Sequence, residues 1–202
     1  MIMSTKGEKT RQLVIDKATI LFTRYGFNHT SLSQILATTG LTKGGFYFHF
    51  KSKENLALAV IEALKECWAK EILPKLKEGK DARENLKLMF SAPGDCCNSS
   101  EGIRPTILLL NLATEMLEVN DKFSTMLSQI IKDWWTILEA IIEQGKSEDI
   151  FRSDLDNQSV AAIILCNVMG ANLLALLNKE PAFYNRQLSS FERVLFIGIE
   201  KN

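Results

Sequence analysis

Histidine is scarce in this chain: its 202 residues include only two, His29 and His49. Neither stands at a metal-ligand spacing, and no glycine-rich phosphate loop accompanies them. An all-α enzyme would need a catalytic constellation, and none is visible, so no catalytic residue, metal or cofactor is expected. Cysteine is also sparse. The four, at 67, 96, 97 and 166, match neither a disulfide framework nor a zinc pattern. The adjacent Cys96 and Cys97 invite a thiol-based redox-sensing reading. Neighbours across a trans peptide stand about 3.8 Å apart, however, against the roughly 4.4–6.8 Å between Cα atoms of an ordinary disulfide, so a vicinal bridge would be strained. Nothing at the N-terminus resembles a secretory signal, and a reducing cytoplasm is the expected compartment. Acidic residues are missing from one region in particular. Residues 1–53 carry eight Lys/Arg against only Glu8 and Asp16, a net +6, while the remaining 16 Lys/Arg and 22 Asp/Glu make −6. The overall zero conceals a basic head on an acidic body, which is the asymmetry of a protein whose one end meets a polyanion.

What is present is helical. At 46% hydrophobic residues, the chain can bury a substantial core, as one large domain or a small one plus a medium one. Val14, Ala18, Leu21, Phe22 and Tyr25 recur at three- and four-residue spacing and predict a first helix over about 8–25. Gly26 stands where a left-handed C-terminal residue is wanted. A second helix is expected over about 31–37, with Ser31 and Gln34 spaced as a capping box. After a Thr38-Thr39-Gly40 turn, Thr42 caps a third short helix that opens Lys43-Gly44-Gly45. Two helices crossing through a short turn containing Gly form a helix-turn-helix. Each helical glycine costs about 1 kcal/mol relative to Ala, and close approach of the backbone to a partner would offset it. Phe46 and Phe50, four apart, are expected to pack inward, leaving Tyr47 and His49 off that face.

Thr42-Lys-Gly-Gly-Phe-Tyr-Phe-His-Phe-Lys-Ser-Lys-Glu-Asn-Leu56 strongly resembles the DNA-binding segment of the TetR family of bacterial transcription regulators. The preceding amphipathic helix ending in Tyr25-Gly26-Phe27, followed by Thr30 and Ser31, resembles the earlier part of the same domain, so the likeness covers about residues 8–58. It implies an all-α homodimer whose third helix enters the major groove of a palindromic operator, with Tyr47, His49 and Lys53 on phosphates. Gly45 stands where many members carry Thr or Ala, which moves the expected base contacts to Thr42, Lys43 and Gln34. Thr30, Ser31, Gly44 and Gly45 complete the expected DNA-binding set.

Ser52 starts a long fourth helix, expected to stop at Pro74. This gives an expected division into a reading domain over 1–53 and an all-α effector-binding and dimerisation domain over 54–202, about nine helices in all. A helix from Asp81 carries Leu86, Met89 and Phe90 on its apolar face. Residues 91–104 break the periodicity and read as a loop. Pro105 suits a first helical position, and the segment to Val119 carries Asn111 and Glu115 four apart among apolar residues. They either satisfy core polar needs or reach into a ligand cavity. Asp121 caps a helix to Gln144, with Gly145 as its stop and Trp134 on its inner stripe.

Residues 157–178 carry no charge. A span of about 20 apolar residues can cross a membrane, but Asn167 and Asn172 interrupt this one and no aromatic belt flanks it. A helix apolar all round is otherwise buried on all sides, here against a second subunit. Val160, Ile164, Gly170, Ala171 and Leu174 on this helix are the expected dimer interface, with Phe191 and Leu195 on a last helix from about Gln187. Met89, Phe90, Asn111, Glu115, Trp134 and Asn167 are the candidate ligand-binding residues, for a largely apolar small-molecule effector. The competing readings are an all-α small-molecule-binding protein or enzyme with a vestigial DNA-binding head, and the thiol-based sensor.

Overall fold

The computed structural model describes residues 5–76, 80–95, 105–116, 121–178 and 180–201. Ten helical segments follow one another: α1 (Lys6–Tyr25), α2 (Leu32–Thr39), α3 (Lys43–His49), α4 (Lys53–Glu71), α5 (Leu73–Leu76), α6 (Ala82–Asp95), α7 (Pro105–Met116), α8 (Asp121–Ser147), α9 (Asn157–Asn178) and α10 (Pro181–Ile199). Among the described residues the only strand-like pairing is a single antiparallel bridge between Phe151 and Glu200. The all-α class read from periodicity holds.

Packing gathers the chain into two compact units, residues 1–67 with 97–127 and residues 68–96 with 128–202. In the first unit, α1 packs on both α2 and α7. Its core is aromatic at the centre. Phe22 stands 5.5 Å from Phe27, and Phe27 stands 6.3 Å from Phe123, ring centroid to centroid. Val14, Ala18, Ile35, Phe46, Leu56 and Ile61 close around it, all fully buried. The helix ends follow local rules. Thr5 and Glu8 make a reciprocal capping box on α1 and Ser31 and Gln34 another on α2, while Thr42 accepts from the Gly45 amide on α3. Each satisfies amides that a helix N-terminus leaves without partners.

In the second unit, α9 and α10 form the most extensive helix pair. The start of α6 is tied to the end of α8: the Ala82 amide donates to Glu148, and the Asn85 and Gln144 side chains share the Lys80 carbonyl. The C-terminus is pinned by the 150–152 segment, with Arg152 N–H donating to Ile199 O and Lys201 N–H to Ile150 O.

Several boundaries differ from expectation. The helix α4 ends at Glu71, before Pro74, and the chain re-enters a helical turn at α5 with Pro74 at its second position, where its missing N–H removes no intrahelical bond. The segment expected to be a loop from residue 91 is helical as far as Asp95; Cys96 and Cys97 lie outside the described residues. Gly145 does not stop α8, which runs on to Ser147. It is instead a close-packing position: a Cβ there would collide with the Phe151 ring. The last helix begins at Pro181, earlier than its apolar stripe suggests. By length and composition α9 could cross a membrane, but Val160, Ala161, Ile164, Leu165, Val168 and Ala171 are buried within the protein, as in a core helix.

Candidate nucleic acid interface

The helix-turn-helix is α2, the Gly40 turn and α3. Gly40 adopts φ 69°, the left-handed conformation, and its amide donates back to Leu36 O, closing α2 sharply. Phe46 and Phe50 are buried in the head and stack 5.8 Å apart. With those two turned inward, α3 presents Lys43, Gly44, Tyr47 and Phe48 to solvent, while Gly45 and His49 are half-buried. Tyr47 is 52% exposed and rests its ring edge on Phe46. On α2, Ser31 and Gln34 are exposed, though the Gln34 carbonyl is engaged by the Ser31 amide and hydroxyl. Thr42 is exposed and its hydroxyl accepts from Gly45 N–H at 3.2 Å. Eight of the ten sequence-derived positions therefore stand at or near the surface of α2 and α3.

The other two are structural. Thr30 is fully buried and its hydroxyl donates to Gly26 O at 2.7 Å. The Lys53 ammonium donates to Phe27 O at 2.8 Å and Thr30 O at 2.9 Å, and lies 4.0 Å from the centre of the Phe27 ring. Burial pulls its pKa below the ordinary lysine value, opposed by the nearby Glu54 and Glu115 carboxylates. Its donors are spent on the corner between α1 and α2, which corrects its expected place on a phosphate.

The same corner claims two candidate ligand residues. Asn111 on α7 donates to Phe22 O at 3.2 Å and Thr23 O at 3.0 Å, carbonyls left open in the last turn of α1. Glu115, one turn on, accepts from Asn28 N–H. Gly26 between them has φ 80°, and a Cβ there would collide with the Glu115 carboxylate. Asn111 and Glu115 thus secure the head rather than reaching for an effector. Four residues apart on α7, they match two sets of backbone groups at the end of α1, a pairing across nearly ninety residues that no local pattern encodes. Sequence reasoning also passed over Lys51, exposed just past α3, and Phe48.

In the second unit, Met89, Phe90 and Trp134 are buried; Phe90 meets Phe191 edge-on at 5.8 Å, and Trp134 lies 6.0 Å from Trp68. Asn167 lies elsewhere, in an open groove of about 420 Å³ lined by Ile163, Cys166, Gly170, Ala171, Leu174 and Gln187. That groove brings together three expected interface residues, Gly170, Ala171 and Leu174. Val160, Ile164 and Leu195 are instead buried inside the subunit, and Phe191 packs on Phe90. The apolar side chains that α9 and α10 turn to solvent are Ile163, Leu173, Leu174, Leu176, Leu177, Val194 and Ile197, each at least 46% exposed. A helix apolar on every side gives no periodic signal of which side meets its own subunit.

Known proteins match both parts of the chain. The family described as "Bacterial regulatory proteins, tetR family" matches residues 14–60, and "Tetracyclin repressor-like, C-terminal domain" matches residues 102–191. The HTH-type transcriptional regulator YxaF of Bacillus subtilis, itself uncharacterised, is 26% identical over 88% of this chain and 90% of its own length. The crystal structure of a TetR-family regulator from Cytophaga hutchinsonii superposes with a TM-score of 0.82 at 27% identity, over 100% of both chains. A gamma-butyrolactone receptor structure superposes with a TM-score of 0.77 at 28% identity, over 97% of this chain and 90% of its own.

Proposed function

The chain belongs to the TetR family of bacterial transcription regulators, and from that membership we propose a homodimeric repressor that leaves a palindromic operator when a small molecule binds. As a member it is a ligand-responsive DNA-binding transcription regulator. The observation that carries the finer reading is the surface of α2 and α3, where Ser31, Gln34, Thr42, Lys43, Gly44, Tyr47 and the half-buried Gly45 and His49 face outward from a segment of net charge +6. Lysine and hydroxyl contacts to phosphate supply sequence-independent affinity, and groups at the N-terminal end of α3 read base edges. Thr30 and Lys53 hold the corner that sets α1 against α2.

Functionally, residues 1–53 form the reading domain and 54–202 the effector-binding and dimerisation domain, with α7 lending Asn111 and Glu115 to the head's support. The exposed apolar side chains of α9 and α10 meet the same surface of a second copy, which would set two heads about 34–36 Å apart for half-sites one helical turn apart. Met89, Phe90 and Trp134 offer a largely apolar lining for the effector, whose coupling to DNA release can be no larger than its preference between the two states. A cytoplasmic location and the lack of a catalytic role go with this reading. The test is selection of duplexes from a random-sequence library by the purified protein. A palindromic consensus, bound with affinity that falls steeply as salt rises, supports it; no enriched sequence, or binding indifferent to salt, refutes it.

A further inference from the structure

The outward face of α3 holds an arrangement that nothing inside the chain requires. Gly44 and Gly45 do not have positive φ, unlike Gly26 and Gly40. A Cβ at Gly44 would meet only Thr42 Oγ1, at 4.0 Å, and one at Gly45 would make ordinary contacts with Thr42 and Leu41, at 3.5 Å and beyond. Each glycine nonetheless costs about 1 kcal/mol of helix stability relative to Ala. Neither conformation nor internal packing accounts for that cost, so its cause lies outside the chain. Phe48 follows at four residues from Gly44 and three from Gly45, on the same stripe of the helix. It is 83% exposed, more than any other large hydrophobic among the described residues, with its ring edge-on to His49 at 5.0 Å. The stripe is therefore a bare backbone floor beside an aromatic wall, flanked by the exposed Lys43 and Tyr47.

We propose that Phe48 is a specificity-determining residue that packs on the 5-methyl group of a thymine in the major groove, while Gly44 and Gly45 let the backbone of α3 approach the base edges. The inference rests on the DNA-reading function above. Thymine is the base whose major-groove edge carries a methyl group; the other edges present only hydrogen-bond donors and acceptors there. A phenyl ring can satisfy none of those, and covering one with it would leave a polar group unpaired. The positive charge of the head selects a nucleic acid over a protein as the body that covers this face.

The test starts from a duplex selected by the full-length protein from a random-sequence library. Each thymine is replaced singly by deoxyuridine, which keeps the hydrogen-bonding edge and lacks only the methyl. One thymine per half-site should weaken binding about fourfold on replacement, and both together about fifteenfold, the worth of one and two buried methyl groups. Phe48→Ala, which alters an exposed side chain and should leave the melting temperature unchanged, should bind the thymine and deoxyuridine duplexes equally. Affinity insensitive to every methyl, or a Phe48→Ala variant that still discriminates, overturns the assignment. Enriched, salt-dependent but methyl-insensitive binding would overturn the role of Phe48 alone. A selection that enriches nothing overturns the DNA-reading function with it.

Discussion

Lys53→Met separates two roles for one lysine. In the structure the ammonium bridges Phe27 O and Thr30 O and caps the Phe27 ring. A hydrogen bond to a charged group is worth about 1.5–3 kcal/mol when well shielded. Lys53 is half-buried, so roughly 1 kcal/mol per bond is the fitting value, with about 0.5–1 kcal/mol more from the ring contact. Methionine keeps the apolar stem and loses all three, which predicts a destabilisation of about 2–3 kcal/mol. For a chain of this size that lowers the melting temperature by roughly 4–12 °C. A phosphate contact would leave a different mark, because each one lost makes the slope of log affinity against log salt shallower by about 0.9. The assay is a thermal melt of the variant beside a salt series of operator binding, the latter run well below the transition. Stability should fall while the salt slope stays unchanged. Undiminished stability with a slope shallower by about 0.9 would refute the structural role and return Lys53 to the phosphate backbone.

Gly45→Ala should act with opposite signs on folding and on binding. The new methyl fits and favours the helix by up to about 1 kcal/mol, so the melting temperature should rise while operator affinity drops; unchanged affinity would show that backbone approach is not needed there. Leu177→Glu with Ile197→Glu places two charges on side chains that are 68% and 81% exposed in the single chain. Sedimentation should then report a monomer, whereas an intact dimer would remove this face from the interface. Acid should weaken the fold in a defined window. The carboxyls of Asp154, Asp156 and Glu180 are held below their ordinary values of 3.8 and 4.5 by hydrogen bonds to Arg152, Ser159 and Arg186, and that of Glu54 by Ser52. A depressed folded-state pKa means that the unfolded chain binds the extra protons. The contribution is therefore complete above about pH 5 and lost as pH falls through the folded values. Urea midpoints should be flat from about pH 5 to 8 and decline below 4; a decline already present at pH 6 would point to other groups.

Much of the head was legible because its determinants are local. Ser31 with Gln34, Thr42 before Gly45 and the Gly40 turn are matters of three or four residues, and capping bonds and left-handed glycines follow from that spacing alone. The inward turn of Phe46 and Phe50 follows from the helical period in the same way. Local signals were least reliable where a glycine or proline had two possible uses. Gly145 reads as a helix stop, yet it serves to seat the Phe151 ring under a helix that continues.

From the sequence alone came the class: an all-α chain, a helix-turn-helix, a basic head on an acidic body, and the residues offered by α2 and α3. These rest on composition and on periods of three to four residues, which are properties of the chain before it folds. Tertiary structure decided which polar groups are free. Asn111 and Glu115 look from the sequence like handles for a ligand, and Lys53 like a hand for phosphate. Backbone carbonyls and an amide at the end of α1 claim all three, since a carbonyl or amide shielded from water must find a partner wherever the chain can supply one. It also decided which side of α9 is inside, because a helix with apolar residues all round is sorted only by the neighbour it meets.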